Sequence, residues 1–400
     1  MALESLKRVG VQHDGRPQSV WIVQRCLAHY RIPVFDRLDT RLRERGCQLK
    51  VVFDPDRLEG NPDTSRPYLS GTQPCIESRL LGVIRWSQPG LLECIRTERP
   101  VAVFVEGTPR MTASLRVPGT CRAIGAASFL WTKGHRELGR TGGPAIDLFR
   151  AAFAKRFSGI VCYAKSSRDD LIRIGVPAGR ISVAPNAVDT TRVFERWAEF
   201  AAAAHDLVRR EGLEGKRIIL YCSTMYDKKR QGDLLDAWPA LRDEFHDAVL
   251  VFVGGGEKLD EVRARAKMID EKGIRVVGRV AEGVDYHWIG ACAVSVMCGG
   301  LGLAIQQSLA FAKPMVVADE AGADGEIVED GVTGWRYPRG DVAALASTIG
   351  GVLRDPLGAT RIARQGQDRV KNEVNLDRMV DGFMSALENA GVIAARAEAK

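Results

Sequence analysis

The hydrophobic and polar positions of this chain alternate between short apolar runs and longer stretches with helical spacing. Predicted strands in the first half lie at 20–23, 49–53, 101–105, 123–131, 160–163 and 181–183. Predicted strands in the second half lie at 217–222, 249–254, 274–277, 293–297 and 315–318, and predicted helices at 33–45, 194–211, 232–245, 259–272, 303–312, 341–353 and 376–390. Such alternation is typical of parallel α/β layers. The pattern predicts two parallel sheets covered by helices.

The break between the two predicted sheets lies at 184–189, where Pro185 and polar residues interrupt the pattern. A chain of 400 residues also exceeds one typical core. We therefore predict a Rossmann-like first domain over 1–185 and a second over 186–375. We expect the last segment, 376–400, to form a helix that returns toward the first domain. The segment 54–73, rich in Pro, Asp and Gly, is predicted to be a long loop.

Composition excludes several classes of protein. Hydrophobic residues make up 45% of the chain, and none of the apolar runs approaches the roughly 18 residues of a membrane span. The first thirty residues lack the apolar core of a secretory signal, so we expect a cytoplasmic protein. The nine cysteines are scattered without a CxxC pair, and the six histidines show no HxxxH spacing. We expect reduced thiols and no metal centre built by the protein.

The positive charge is concentrated in the first domain. Residues 1–185 hold 29 Lys and Arg against 17 Asp and Glu, whereas the remainder holds 28 against 33. An anionic membrane surface, a phosphate-bearing acceptor and nucleic acid are the partners that this charge could attract, and a merely solvated face is the alternative. Because no nucleic-acid-binding motif accompanies the basic residues, we expect no nucleic acid partner.

A glycine loop in the second domain is the clearest candidate for chemistry. Gly300 and Gly302 precede a predicted helix, where bare backbone N–H groups and the positive end of the helix dipole favour a phosphate. An ordinary tight turn is the alternative. Gln307, in the following helix, could donate a hydrogen bond to a ribose or sugar hydroxyl.

Other loops that follow predicted strands should converge with this one, because ligands of open parallel sheets bind beyond the carboxyl ends of the strands. The loop at 223–230 ends in Lys228, Lys229 and Arg230. A lysine about 4 Å from a phosphate gains on the order of 4 kcal/mol of attraction before desolvation, so Lys229 or Arg230 could anchor a diphosphate. A solvated helix start is the alternative. The glycines at 254–256 and Gly278 permit close approach of a ligand to the backbone, and simple turns are the alternative.

Several segments together resemble a known family. They are 27–35 (LAHYRIPVF), 104–107, 130–135, 185–189, 229–235, 277–279, 302–303, 325–328 and 330–334. In this order they resemble the retaining glycosyltransferases of family 4, in particular the HYR-type members of polysaccharide assembly. The resemblance covers nearly the whole chain. It implies the GT-B fold, an α/β architecture of two facing Rossmann-like domains with a cleft between them.

The resemblance implies a role for residues of each domain. Glu106 and His135 are expected to face the donor sugar, with a helix-start carboxylate and a surface histidine as the alternatives. Lys229 and backbone donors would stabilise the leaving diphosphate without a metal or other cofactor. The acceptor-side residues would be His29, Tyr30, Arg31 and Lys133, where core packing is the alternative for Tyr30. The donor-binding residues would be Thr224, Lys229, Arg230, Gly278, Arg279, Gly300, Leu301, Gly302, Leu303, Gln307 and Glu326.

The chain departs from the common family pattern at three positions. Many members carry two glutamates separated by seven residues, and the equivalent positions here are Gly299 and Gln307. An arginine frequent in the first phosphate loop is replaced by Thr224. Gln307 can still hydrogen-bond a ribose hydroxyl but carries no charge. The resemblance implies that the HYR-type subgroup tolerates a glycine at 299 and a non-acidic residue at 307, which favours an active enzyme, and an inactive relative is the alternative.

These observations predict a metal-independent enzyme that transfers a sugar, with retention, from a nucleotide-diphosphate donor to a glycan or lipid-linked acceptor. Its association with the inner face of the membrane would be peripheral, through the basic first domain. One alternative is a sugar-nucleotide epimerase or hydrolase of the same fold. Another is a non-catalytic partner subunit that binds nucleotide sugars, which the residues at 299 and 307 would suit.

Overall fold

A computed structural model of the chain describes residues 18–80, 83–107, 111–133, 144–281, 283–320 and 323–395. Spatial contacts divide the chain into two compact units. Unit 1 comprises 1–185 and 376–400, and unit 2 comprises 186–375. Each unit is a Rossmann-like α/β layer around a parallel sheet, as the alternation of apolar runs predicts.

Unit 1 is built on a seven-stranded parallel sheet with strand order β11-β10-β9-β8-β1-β3-β5. The strands of this unit are β1 (Gln18–Val23), β2 (Leu27–Ala28), β3 (Cys47–Val52), β4 (Leu58–Glu59), β5 (Leu69–Ser70), β6 (Ile76–Leu80), β7 (Val83–Ser87), β8 (Ala102–Glu106), β9 (Ala127–Thr132), β10 (Gly159–Cys162) and β11 (Ile181–Val183). Its first helices are α1 (Ile32–Arg43), α2 (Leu91–Glu98), α3 (Thr112–Ala123), α4 (Pro144–Ala154) and α5 (Lys165–Arg173). Val20–Val23 of β1 are buried because helices cover both faces of the sheet.

Three features of unit 1 differ from the sequence prediction. The segment 54–73 is not a bare loop, because β5 extends the main sheet beside β3 and β4 pairs with β2. The strand predicted from 123 begins only at Ala127, since α3 runs to Ala123 and a turn through Gly125, at φ 76°, follows. An antiparallel hairpin of β6 and β7 was not predicted.

Unit 2 contains a six-stranded parallel sheet with strand order β14-β13-β12-β15-β16-β17. Its strands are β12 (Arg217–Cys222), β13 (Ala248–Val253), β14 (Ile274–Gly278), β15 (Val294–Met297), β16 (Met315–Ala318) and β17 (Trp335–Tyr337). Its helices are α6 (Thr191–Glu195), α7 (Trp197–Arg210), α8 (Gln231–Glu244), α9 (Leu259–Asp270), α10 (Val284–Ala291), α11 (Ala304–Ala310), α12 (Val342–Arg354) and α13 (Pro356–Asn372). The predicted cap of α12 is present, because the Asp341 carboxylate accepts a hydrogen bond from the Ala344 N–H at 2.9 Å.

The last helix, α14 (Leu376–Asn389), packs in unit 1 against α1, β10 and β11. Arg37 and Arg41 of α1 form ion pairs with Asp377 and Asp381, at 2.6 and 3.2 Å. Gly382 allows close packing, since a Cβ atom there would lie 2.5 Å from the Val183 carbonyl oxygen. Among the helices that the structure describes, none is both long and apolar enough to span a bilayer.

Candidate functional site

The glycine loop lies at the carboxyl edge of the unit 2 sheet, between β15 and α11. Gly300 adopts φ 51°, which suits glycine, and a Cβ atom there would lie 3.1 Å from the Lys228 carbonyl oxygen. Helix α11 starts at Ala304, with Leu303 as its N-cap, and ends at Ala310. It is therefore shorter than the predicted helix at 303–312. An anion at this edge would therefore be bound mainly by backbone N–H groups of the loop, because α11 is too short to contribute a large helix dipole.

Lys229 is held directly against this loop. It lies in a 3-10 turn, Asp227–Lys229, that follows β12, and its side chain is buried at 8% exposure. Its Nζ donates a hydrogen bond to the Gly300 carbonyl oxygen at 2.5 Å, and a Cβ atom on Gly302 would lie 3.6 Å from the same nitrogen. Burial of an ammonium group is costly unless it is hydrogen-bonded, so this contact fixes the cation beside the loop.

The two cations on either side of Lys229 are placed differently. Lys228 is exposed. Arg230 adopts φ 50° and donates two hydrogen bonds to the Asp233 carboxylate, at 2.7 and 3.0 Å. A Cβ atom on Gly340 would lie 3.1 Å from the Arg230 guanidinium. The predicted anchor Arg230 is therefore already neutralised within the chain, and Lys229 is the cation in contact with the loop.

Glu320, two residues beyond β16, is a site residue that the sequence prediction missed. Its carboxylate accepts a hydrogen bond from the Leu301 N–H at 3.3 Å and one from Arg339 at 2.5 Å. It also occupies space beside Gly299, where a Cβ atom would lie 3.2 Å from the Glu320 oxygen. The rule that loops after strands converge would have found Glu320 had it been applied to β16.

Two neighbouring glutamines on α11 have different surroundings. Gln307 is half-buried, and its amide donates to the Tyr286 hydroxyl at 3.5 Å. Burial raises the pKa of Tyr286 above its ordinary value of 10, so the phenol keeps its proton and can donate onward. Gln306 is fully buried, and it hydrogen-bonds the backbone of Asn186 and Val188. The sequence analysis predicted no structural or binding role for Gln306.

The remaining predicted donor residues lie in neighbouring loops of unit 2. Gly254 donates its N–H to the Gly278 carbonyl at 2.8 Å, which joins the ends of β13 and β14. Arg279 is exposed and lies against Gly255, where a Cβ atom would be 3.3 Å from the guanidinium. Thr224 is exposed after β12. Glu326 is exposed in a 3-10 turn, Ala323–Ile327.

In unit 1, Glu106 ends strand β8 at the carboxyl edge of the sheet. Its carboxylate accepts a hydrogen bond from the Arg25 N–H at 3.2 Å. Desolvation raises the pKa of Glu106 above its ordinary value, and this effect outweighs the opposing contributions of Arg25 and Arg31. A carboxyl group whose pKa is raised by desolvation at a strand end is a candidate for holding or transferring a proton.

The HYR segment forms a 3-10 turn, His29–Arg31, before α1. His29 is exposed, with its Nδ1 3.2 Å from the Glu59 carbonyl oxygen. Tyr30 is half-buried, and burial raises its pKa. Arg31, predicted as an acceptor-side residue, is buried at 8% exposure.

The surroundings of Arg31 are aromatic. Its guanidinium donates to the Tyr163 hydroxyl at 3.1 Å and lies 5.1 Å from the centre of the Trp131 ring. The Trp131 indole nitrogen is buried and has no hydrogen-bond partner among the residues that the structure describes. Lys133 follows β9 and is exposed, while its carbonyl accepts from Ser167 at 2.8 Å. The predicted catalytic residue His135 lies outside the described residues.

The structure thus brings together Lys229, Gly300 to Gly302 and Glu320 in unit 2, and Glu106 with Arg31 in unit 1. Within the ranges that the structure describes, no group of three or more His, Cys, Asp or Glu side chains is arranged to hold a metal ion.

The fold is similar to that of several solved structures along almost its whole length. One is Anabaena Alr3699/HepE in complex with UDP, with a TM-score of 0.67 and 16% identity over 93% of this chain and 99% of that chain. Another is a glycosyltransferase from Rickettsia africae ESF-5, with a TM-score of 0.67 and 14% identity over 94% of this chain and 99% of that chain. The class of fold is therefore GT-B, as predicted.

Two family models match successive parts of the chain. Residues 34–192 match Glycosyltransferase Family 4, and residues 216–355 match Glycosyl transferases group 1. With the GT-B fold, these matches show that the chain is similar to glycosyltransferase family 4 in its first part and to the group 1 glycosyl transferases in its second.

Curated relatives match over part of their length. A GDP-mannose-dependent alpha-(1-6)-phosphatidylinositol monomannoside mannosyltransferase of Mycolicibacterium smegmatis is 29% identical over 202 residues, which is 48% of this chain and 52% of the relative. A phosphatidyl-myo-inositol mannosyltransferase of Mycobacterium leprae is 30% identical over 156 residues, which is 36% of this chain and 40% of the relative. The chain thus spans about half the length of these relatives or less.

Proposed function

We propose that this protein transfers a sugar from a nucleotide-diphosphate donor to a glycan or lipid-linked acceptor, with retention at the anomeric carbon and without a metal ion. The contact that carries the proposal is the one between the buried Lys229 ammonium and the glycine loop. A cation and bare backbone N–H groups at the carboxyl edge of a parallel sheet are suited to a diphosphate.

The comparisons support the donor and acceptor classes. The first solved relative binds UDP, and a second structure of it contains UDP-glucose. The mycobacterial relatives are named as enzymes that use phosphatidylinositol-linked acceptors, one of them with GDP-mannose. A nucleotide-sugar donor and a glycan or lipid-linked acceptor are therefore the substrate classes we propose for this chain.

The proposed chemistry requires negative charge to be stabilised as the bond between sugar and diphosphate breaks. Lys229 and the loop amides would supply this stabilisation, which makes a metal ion unnecessary. Retention is proposed to follow a front-face route, in which the departing diphosphate accepts the proton of the acceptor hydroxyl. Glu106, whose pKa is raised, would face the donor sugar from unit 1. His135 is proposed for the same role.

A donor screen by thermal shift tests the proposal. The binding sugar nucleotide among UDP-, GDP- and ADP-sugars, at 100 times its dissociation constant, should stabilise the protein by about 2.7 kcal/mol. We expect Lys229→Met to weaken that binding at least about tenfold, because a buried charged contact is lost. Lys228→Met is the matched control and should change affinity less than about twofold, since Lys228 is exposed. Equal effects of the two substitutions would contradict the assigned role of Lys229.

The protein is then incubated with the sugar nucleotide identified by the thermal-shift screen and a library of lipid or glycan acceptors, and product formation is measured with and without EDTA. Product formation that is unaffected by EDTA, with the donor's anomeric configuration kept, is the expected result. Turnover of donor without any acceptor would favour the epimerase or hydrolase. Donor binding without turnover under any condition would favour the non-catalytic partner subunit.

Peripheral association with the inner face of the membrane is part of the proposal and rests on the basic charge of 1–185. The protein should co-sediment with vesicles containing anionic phospholipid at low salt and be released by about 0.5 M salt, because surface electrostatic attraction is screened. Equal binding to neutral vesicles would contradict this part of the proposal.

A further inference from the structure

A cavity of about 810 Å³ lies in unit 2 at the edge of the sheet opposite the glycine loop. Its lining includes Arg217 at the start of β12, and Ala293 and Pro314, which directly precede β15 and β16. Because these adjacent strands are parallel, this edge is the amino edge of the sheet. We call this space the amino-edge cavity. The six residues of β12 put roughly 20 Å between it and the carboxyl edge, so it is separate from the donor site proposed above.

One part of the lining is aromatic and apolar. Trp197 at the start of α7 is 42% exposed, and its ring centre lies 5.7 Å from that of Phe311, at an angle of 34° between the rings. Phe194 and the α12 residues Val352 and Leu353 extend this apolar wall. Tryptophan exposed beside a cavity offers a flat surface on which a ring can stack. The volume is within the range of small-molecule sites, which is roughly 300–1,000 Å³.

The other part of the lining is positively charged. The charge of Arg217 is neutralised within the chain, because its guanidinium forms a bidentate ion pair with the Asp247 carboxylate. Lys313 and Arg364 also line the cavity, and neither forms an ion pair within the part of the chain that the structure describes. Asp368 is the acidic residue of the lining. The cations that remain therefore outnumber the carboxylate, and the cavity favours an anion.

We propose that the amino-edge cavity is a second small-molecule site, which takes a ring-bearing anion. The ring stacks on Trp197, and the anionic group is bound by Lys313 and Arg364. A purely apolar ligand would leave both cations without a counter-charge, and a small inorganic anion would leave the aromatic wall unused. The combination of ring and anionic group satisfies both parts of the lining. This site does not depend on the proposed transferase activity.

Titration calorimetry of the full chain with phenyl phosphate tests the proposal, with inorganic phosphate and phenol as the comparison probes. Phenyl phosphate should bind saturably and at least about tenfold more tightly than either comparison probe, because only it uses both parts of the lining. The double substitution Lys313→Gln/Arg364→Gln and the single substitution Trp197→Ala should each weaken it about tenfold. Trp197→Phe should restore most of the binding, since it keeps a ring.

Two controls locate the binding. Arg361→Gln changes another exposed arginine of α13 that is outside the lining, and it should leave phenyl phosphate binding within about twofold of the unaltered protein. Lys229→Met should also leave it unchanged, which separates this site from the glycine loop. Labelling with 5-fluorotryptophan adds a direct readout, because the Trp197 signal, assigned by its loss in Trp197→Phe, should shift on titration. Absence of saturable binding, equal binding of inorganic phosphate, or loss of binding only in Lys229→Met would overturn the proposal.

Discussion

The side chain of Gln306 joins α11 to the chain segment at the start of unit 2. Its amide oxygen accepts a hydrogen bond from the Val188 N–H at 3.0 Å, and its amide nitrogen donates to the Asn186 carbonyl at 2.5 Å. The glutamine is 0% exposed, and both backbone partners are buried at 9%. Substitution of Gln306 by Met keeps the length and nearly the volume of the side chain but removes both hydrogen bonds. The effect of the substitution therefore measures these two bonds.

The expected size follows from the burial of the partners. A buried donor or acceptor that loses its hydrogen bond costs about 1–3 kcal/mol, so the two groups together should lower the free energy of unfolding by about 2–6 kcal/mol. For a unit of this length, each kcal/mol corresponds to roughly 2–4 °C in the melting temperature. We therefore expect Gln306→Met to lower the melting temperature of unit 2 by at least about 4 °C.

Gln307→Met on the same helix is the matched control. Gln307 is only half-buried, and its amide contact with the Tyr286 hydroxyl, at 3.5 Å, is at the long limit for a hydrogen bond. The substitution should therefore lower the free energy of unfolding by less than about 1 kcal/mol. Thermal melts should be combined with hydrogen exchange, read by mass spectrometry in peptides covering 186–190 and 304–310. Faster exchange in both peptides is expected for Gln306→Met. Unchanged exchange together with a melting temperature within about 1 °C of the unaltered protein would refute the reasoning.

Three further predictions concern Glu106, Ala312 and Glu320. Because the pKa of Glu106 is raised in the folded protein, its ionisation destabilises the fold as pH rises above about 4.5, the ordinary value for a glutamate. Urea unfolding should therefore show Glu106→Gln to be more stable than the unaltered protein at pH 7, with a difference that disappears below pH 4.5. Ala312 adopts φ 49°, which costs a non-glycine residue about 1–2 kcal/mol, so Ala312→Gly should raise the melting temperature, whereas Ala310→Gly inside α11 should lower it. In Glu320→Gln, the amide can still accept from the Leu301 N–H, but the negative charge beside the loop is gone. Calorimetry should then show a nucleoside diphosphate binding about threefold more tightly at low salt, and weaker binding would indicate that the carboxylate contacts the ligand favourably.

The parallel sheets could be predicted because their strands are buried on both faces. Such strands are continuous apolar runs, and the predicted bounds of 181–183, 217–222 and 315–318 agree with the structure to the residue. Most element ends deviate from the prediction, as at 303–312 against Ala304–Ala310 for a helix and at 123–131 against Ala127–Thr132 for a strand. The last turn of a helix is decided by local hydrogen bonds rather than by the apolar pattern.

Elements whose stability comes from neighbours rather than from their own pattern were missed. The hairpin of β6 and β7 reads IESRL and VIRWS, in which apolar residues are adjacent or widely spaced rather than alternating with polar ones, so the strand pattern is weak. The alanine-rich stretch predicted as one helix breaks at Arg196 into α6 and α7. Neither the alanines of that stretch nor Arg196 disfavours a helix, so the helix propensities of the residues could not locate the break.

The sequence also could not show which of the adjacent cations in the candidate site can bind an anion. Lys228, Lys229 and Arg230 are adjacent cations that composition cannot rank, because their difference lies in the direction of each side chain. The structure exposes the first, buries the second against the glycine loop and pairs the third with Asp233. Only Lys229 combines burial with contact to the loop backbone, so the local charge available to an anion is smaller than the sequence indicates.

Glu320 shows why the opposite charge was also overlooked. A search for a phosphate site selects cations and glycines, and it passes over a carboxylate two residues beyond a strand. Yet this carboxylate already accepts the N–H of Leu301, a residue of the glycine loop, and fills the space beside Gly299. A Cβ atom at 299 would lie 2.8 Å from the Lys228 carbonyl oxygen and 3.2 Å from the Glu320 oxygen. Glycine is therefore needed at 299 first because of the Lys228 backbone, and Glu320 adds a second restriction. A substitution at either position should be interpreted only together with the other.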